Sequence, residues 1–203
     1  MARFYGKLPT NAQGVSVAEL KAAYLDFGKP AAADADGILA AAEASATAVV
    51  ELDEDDWVEA FDGELDVPRQ VAVIASEGAA SIAEADTVTV YGTNIADEPI
   101  SEVLTFTAEQ NTAEVTDQAF KTVTKVIIGE SAVGVKFNVG WTDVLGLPFK
   151  LAATEKMALE YGAGALKTTA GTFTVDASVL GKNTYAPNTT LDASNTVQLI
   201  LFL

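Results

Sequence analysis

From residue 70 onward the chain alternates apolar and polar positions in short segments, each closed by turn-forming residues at intervals of roughly ten, the pattern of antiparallel strands. The segments are 70–75 (QVAVIA), 86–91 (DTVTVY), 100–107 (ISEVLTFT), 120–128 (FKTVTKVII), 133–139 (VGVKFNV), 147–152 (LPFKLA), 156–160 (KMALE), 171–176 (GTFTVD) and 196–202 (TVQLILF). Within 86–91, Val88 and Val90 share one face and Thr87 and Thr89 the other, so one side is apolar and the other solvated. Glycine and asparagine between the segments, as at 92–94 and 181–183, supply the turns. Residues 69–203 therefore predict a mainly β domain, an antiparallel β-sandwich or barrel-like structure. The pattern lacks the amphipathic helices that a nucleotide-binding α/β fold needs between its strands. No phosphate-cradling G-x-x-x-x-G-K motif occurs, and Gly162-Ala163-Gly164 joins no strand to a helix.

The first third reads differently. Residues 1–29 show no alternation and mix Arg3, Phe4, Tyr5, Lys7 and Leu8 with Pro9 and Gly14, as in an extended N-terminal arm. Ser16-Val17-Ala18-Glu19 fits a capping box, and Leu20, Ala23, Tyr24 and Phe27 follow at helical spacing, so one short helix is predicted there. Residues 30–68 are rich in alanine, but Asp36-Gly37, Ser45, Thr47 and Val49-Val50 interrupt any helix; loops and a strand around 46–52, packed on the β-domain, are predicted. The last strand, with Leu201, Phe202 and Leu203, carries no polar tail and must bury its side chains in its own sheet or against another subunit. The arm has the same two choices, and aromatic and arginine residues are favoured interface anchors. The candidate partner interface is therefore Arg3, Phe4, Tyr5, Lys7, Leu8, Leu201, Phe202 and Leu203.

The chain is 203 residues long and 49% hydrophobic, enough for a sizeable core. Its net charge of −17 is unevenly spread: residues 1–29 hold four bases and two acids, residues 30–68 hold twelve acids and no base, and the remainder holds fifteen acids and eight bases. Such a surface repels nucleic acid and anionic membrane, so neither is expected as a partner. With no cysteine and no histidine, the chain has no disulfide, no thiolate, and neither the commonest general base nor the commonest metal ligand. Its serines have no histidine to activate them and no G-x-S-x-G elbow; no catalytic residue is assigned and no enzyme is expected. Asp53, Glu54, Asp55 and Asp56 have oxygens suited to calcium, but they lack the glycine turn and regular spacing of an EF-hand loop and read as a solvated acidic face; no metal or cofactor is expected. Residues 1–20 include Pro9, Asn11, Gln13 and Glu19 where a signal peptide needs an apolar core, and no apolar run approaches the ~20 residues of a membrane span. A soluble protein made in the cytoplasm is expected.

One resemblance adds to this reading. Asp66-Val67-Pro68-Arg69, then Val71 and Val73, then DTVTVYGTNIADEPISEVLTF (86–106), AFKTVT (119–124) and VGWTDVLGLP (139–148) follow in an order that resembles the β-rich virion proteins of tailed phages and prophages, specifically capsid decoration (auxiliary or cement) proteins. It covers residues 66 to 203, about two thirds of the chain, with AFKTVT and GLPFKL its most specific stretches. The basic arm and the acidic segment match no motif of that family. The resemblance implies a structural protein that binds the outside of a capsid lattice, with the major capsid protein and copies of itself, as a homotrimer, for partners, and the virion surface for location. Two other readings remain open: another virion component, such as a tail-tube subunit or head fibre, or a carbohydrate-binding β-sandwich module stacking sugars on Trp57, Trp141 and Tyr161.

Overall fold

The computed structural model describes residues 22–76, 86–107, 112–132, 134–152 and 158–202. The protein is mainly β, made of antiparallel sheets, one of them curled into a half-barrel. The larger sheet contains β2 (Asp34–Glu43), β3 (Val50–Leu52), β4 (Glu64–Ser76), β5 (Thr87–Thr93), β6 (Pro99–Thr105), β7 (Glu114–Ile128), β8 (Lys136–Gly146), β11 (Thr172–Thr174) and β12 (Thr184–Ala186). Its order is β11-β12-β8-β4-β7-β5-β6, with β2 also pairing β8 and β3 also pairing β7. The smaller sheet is β1-β13-β9-β10, formed by β1 (Ala22–Asp26), β9 (Ala158–Gly162), β10 (Ala165–Leu166) and β13 (Val197–Phe202).

The long central strands bend where their registers shift. β4 slips against β7 between Glu64 and Arg69 and again between Gln70 and Ala72, and β5 slips against β7 between Tyr91 and Gly92. Such bulges sharpen local twist and curl a sheet. Pro68 sits within the first shift, a place where a proline costs no regular ladder bond. Gly140 of β8 is needed for close approach: a Cβ there would lie 1.8 Å from the carbonyl oxygen of Asp34, where β2 crosses.

The curl encloses the main core. Val71, Val73 and Ala75 of β4, Val88 and Val90 of β5, Phe120, Val123, Val126 and Ile128 of β7, and Phe137 and Val139 of β8 are all buried there. Each of the valine, isoleucine and phenylalanine side chains contributes about 1.5–3 kcal/mol by leaving water. The alternation read in 86–91 holds, with Val88 and Val90 buried between half-exposed threonines. A second core of Leu147, Leu151, Tyr185, Leu199 and Leu201 underlies the smaller sheet. A third, of Leu145, Leu191 and Val197 with Phe27 and Val67 packed on it, joins the two sheets.

Three sequence expectations need correction. Residues 22–26, within the predicted helix, form β1; the Ser16–Glu19 capping box lies outside the described residues. The reason is tertiary: β1 pairs along its whole length with β13, from Ala22 opposite Phe202 to Asp26 opposite Gln198, and that ladder outweighs local helical spacing. Residues 34–43, read as loop, form the irregular strand β2 on β8, with Ala41 at φ 53°. Residues 147–152, read as a strand, form a loop whose alternating Leu147 and Leu151 are buried instead through Asn183. The Leu147 N–H donates to the Asn183 carbonyl at 2.8 Å, and the Leu151 N–H donates to Asn183 Oδ1 at 2.9 Å. β4 begins at Glu64, so the acidic segment runs directly into a central strand, and β2 and β3 from the same segment extend the same sheet.

Candidate functional site

Arg3, Phe4, Tyr5, Lys7, Leu8 and Leu203 lie outside the described residues. Phe202 pairs with Ala22 in the β13–β1 ladder. Leu201 is fully buried in the second core, opposite Ala23 on one side and Ala158 on the other, so its side chain serves the chain's own interior.

The acidic segment forms one wall of an open cleft of about 490 Å³, lined by Asp53, Glu54, Trp57, Asp62 and Glu64 and, across from them, Thr122 to Thr124 of β7. Its carboxylates are partly engaged in local turns: the Asp53 N–H donates to Asp56 Oδ2 at 3.2 Å, the Asp55 N–H to Asp53 Oδ1 at 3.2 Å, and the Glu64 N–H to Asp62 Oδ1 at 3.2 Å. Among the described residues no three metal-ligating side chains form a cation site. The aromatic residues beside the cleft face one another. Trp57 stacks on Phe61 with ring centroids 4.9 Å apart, Phe61 tilts against Trp141 at 6.2 Å, and Trp141 Nε1 donates to the Ala32 carbonyl at 2.9 Å. Among the described residues, the buried Trp57 Nε1 has no hydrogen-bond partner. Trp57 and Trp141 therefore pack on the main core, while Tyr161 is 36% exposed.

Among the described residues three charged side chains, Arg69, Asp86 and Glu160, are buried, and each is bonded within the fold. Arg69 forks Asp66 at 2.8 and 2.7 Å and donates a third bond to the Thr142 carbonyl at 3.3 Å. Asp86 accepts the Ser131 hydroxyl at 2.5 Å. Glu160 of β9 accepts five hydrogen bonds: Thr189 N–H (2.7 Å) and Oγ1 (2.6 Å) on Oε1, and Tyr185 Oη (2.6 Å), Gly171 N–H (2.9 Å) and Asn188 N–H (3.0 Å) on Oε2. Burial alone would raise its pKa, but the Thr189 and Tyr185 hydroxyls and the Asn188 and Gly171 amides hold the carboxyl below the usual range. Burial and the Glu160 carboxylate push the Tyr185 phenol far above its ordinary value.

Sequence reading missed this knot because its donors come from four places between residues 160 and 189, with no local spacing to reveal them. It also missed a contact across the curl, where the Glu102 carboxylate on β6 accepts the N–H groups of Asp117 (2.5 Å) and Gln118 (3.1 Å) on β7. Three surface lysines form salt bridges, Lys121 with Asp97 (2.7 Å), Lys182 with Asp117 (2.9 Å) and Lys125 with Glu51 (3.8 Å), and acids outnumber bases by 29 to 12 over the whole chain. No protein family, no curated protein and no solved structure matches this chain.

Proposed function

We propose that the chain is a structural virion protein that binds the outside of a tailed-virus capsid lattice and decorates or stabilises it, without catalysis. One observation supports this most: the run of resembling motifs falls on the strands that build the half-barrel. DVPR supplies the Asp66–Arg69 fork of β4, AFKTVT lies in the centre of β7, and VGWTDVLGLP forms the end of β8 and the turn after it. The resemblance thus concerns the residues that make the framework. The buried charges are consistent with this, since each is bonded to other parts of the same fold. A strongly acidic face suits a protein that projects from a shell, and many weak contacts on a repeating lattice sum through multivalency. The partners in this reading are the major capsid protein and further copies of the chain, as a homotrimer, with the basic arm, residues 2–10, as the attachment. The protein acts at the capsid surface of the virion.

The test is to strip the protein from particles, add the purified chain back, and measure bound chain per major capsid protein. Saturation at a fixed ratio supports decoration. No binding at any concentration ends this reading, and assembly of the purified chain alone into tubes replaces it with the tail-tube reading.

A further inference from the structure

β6 is the terminal strand of the larger sheet. Its inner edge pairs with β5 without a register shift, from Pro99 opposite Thr93 to Thr105 opposite Thr87, and among the described residues no strand pairs with its outer edge. The N–H of Phe106 donates to the Asp86 carbonyl at 2.8 Å and the N–H of Asn94 to the Glu98 carbonyl at 3.0 Å, so the even-numbered residues of β6 bond inward to β5. Alternation then points the N–H and C=O groups of Ser101, Val103 and Thr105 outward.

Soluble proteins ordinarily protect such an edge with lysine, an internal proline, a bulge or a very short strand. β6 has seven residues, and its proline is the first of them. The side chains of the outward row, Ser101, Val103 and Thr105, are uncharged and exposed, and Val103, at 59%, is the most exposed large hydrophobic residue described. The strand's single acid, Glu102, sits on the opposite face, bonded to Asp117 and Gln118 of β7. On a chain of net charge −17, this edge is a neutral strip, where two copies meet with least repulsion.

We propose that β6 pairs antiparallel with β6 of a second copy about a two-fold axis at Val103, fusing the two larger sheets. Val103 then lies opposite Val103 of the second copy and Ser101 opposite its Thr105, and each of these hydrogen-bonded pairs exchanges two bonds, about six in all. Ser101 and Thr105 place hydroxyls side by side, a favourable cross-strand pair, and Glu102 faces Leu104. A shift of two residues toward Pro99 sets Glu102 against Glu102 and brings Pro99, which has no N–H, opposite Thr105. A shift the other way pairs Ser101 with residue 107, beyond the strand. The register is therefore fixed by β6 itself. This contact stands on the edge alone and is independent of the capsid reading; in a three-fold assembly it would link neighbouring trimers.

The chain has no cysteine, so introduced thiols report unambiguously. In the full chain, Val103→Cys should oxidise to a disulfide-linked dimer in high yield, since a hydrogen-bonded pair sets Cα atoms about 5.5 Å apart, within disulfide range. Ser101→Cys alone should cross-link poorly, and mixing it with Thr105→Cys should restore the dimer. Val103→Pro removes only an outward N–H and should at least halve the sedimenting mass, with the unfolding midpoint kept; Val103→Lys serves the same purpose if the proline variant misfolds. Cross-linking of Val103→Cys no greater than that of an exposed Ser178→Cys control, or a wild-type chain that stays a 21.1 kDa monomer at about 100 μM, overturns the proposal.

Discussion

Arg69, with no solvent exposure, grips both oxygens of Asp66, three residues earlier, in a planar fork, Nε to Oδ1 at 2.8 Å and Nη2 to Oδ2 at 2.7 Å. The remaining donor reaches the Thr142 carbonyl on β8, and Asp66 accepts the Ala31 N–H at 2.8 Å, so one ion pair ties β4, β8 and the entry to β2. Lysine cannot reproduce a fork. Arg69→Lys should lower the unfolding free energy in urea by about 2–3 kcal/mol. Asp66→Asn should cost less, because that side chain is 40% exposed. The double variant should lose clearly less than the sum; strict additivity would show that the two side chains are not coupled.

The Glu160 knot makes a pH prediction. Its carboxyl is held below the ordinary range in the folded state, so the unfolded chain takes up the proton first. The stabilisation is complete above the unfolded value, about 4.3, and is lost as pH falls from there through the folded pKa. Glu160→Gln should cost about 2–4 kcal/mol at pH 7, because an amide turns a donor toward hydroxyls and N–H groups that all now donate. The gap between wild type and variant should narrow when thermal unfolding is repeated below pH 4. A constant gap from pH 7 to pH 3 would assign the loss to packing alone.

Gly140 tests the crossing of β2 over β8. Alanine in place of a strand glycine usually stabilises by several tenths of a kcal/mol. Here its methyl group would meet the Asp34 carbonyl, and Gly140→Ala should instead destabilise by about 1–3 kcal/mol. Near-UV circular dichroism should change as well, because Trp141 is the next residue and bonds to Ala32. A stabilised variant with an unchanged spectrum would mean that β2 does not lie against Gly140.

Removing residues 2–10 should abolish binding to particles and leave the unfolding midpoint within about 1 °C. Undiminished binding would rule out the arm as the attachment. Lost binding together with a much lower midpoint would place the arm in the core.

How much of this could be read from the sequence depends on how local the cause is. Val88 and Val90 announce β5 because burial on one face of a strand repeats every second residue. The Leu147, Phe149 and Leu151 alternation gives the same signal, yet Asn183 draws that backbone into a loop from 32 residues away. β1 was hidden because Ala23, Tyr24 and Phe27 satisfy helical spacing, and only β13, at the far end of the sequence, supplies its ladder. The burial of Leu201 and the five donors around Glu160 are long-range in the same way. That no described strand pairs with the outer edge of β6 was equally out of reach, because which strand ends a sheet is a property of topology.

A chain that decorates a virus shell must travel with the shell. Particles from the source lysate, banded on a density gradient and analysed by mass spectrometry, should carry the protein in the same fractions as the major capsid protein at near-stoichiometric abundance. A protein that stays at the top of the gradient, free of particles, would contradict the account.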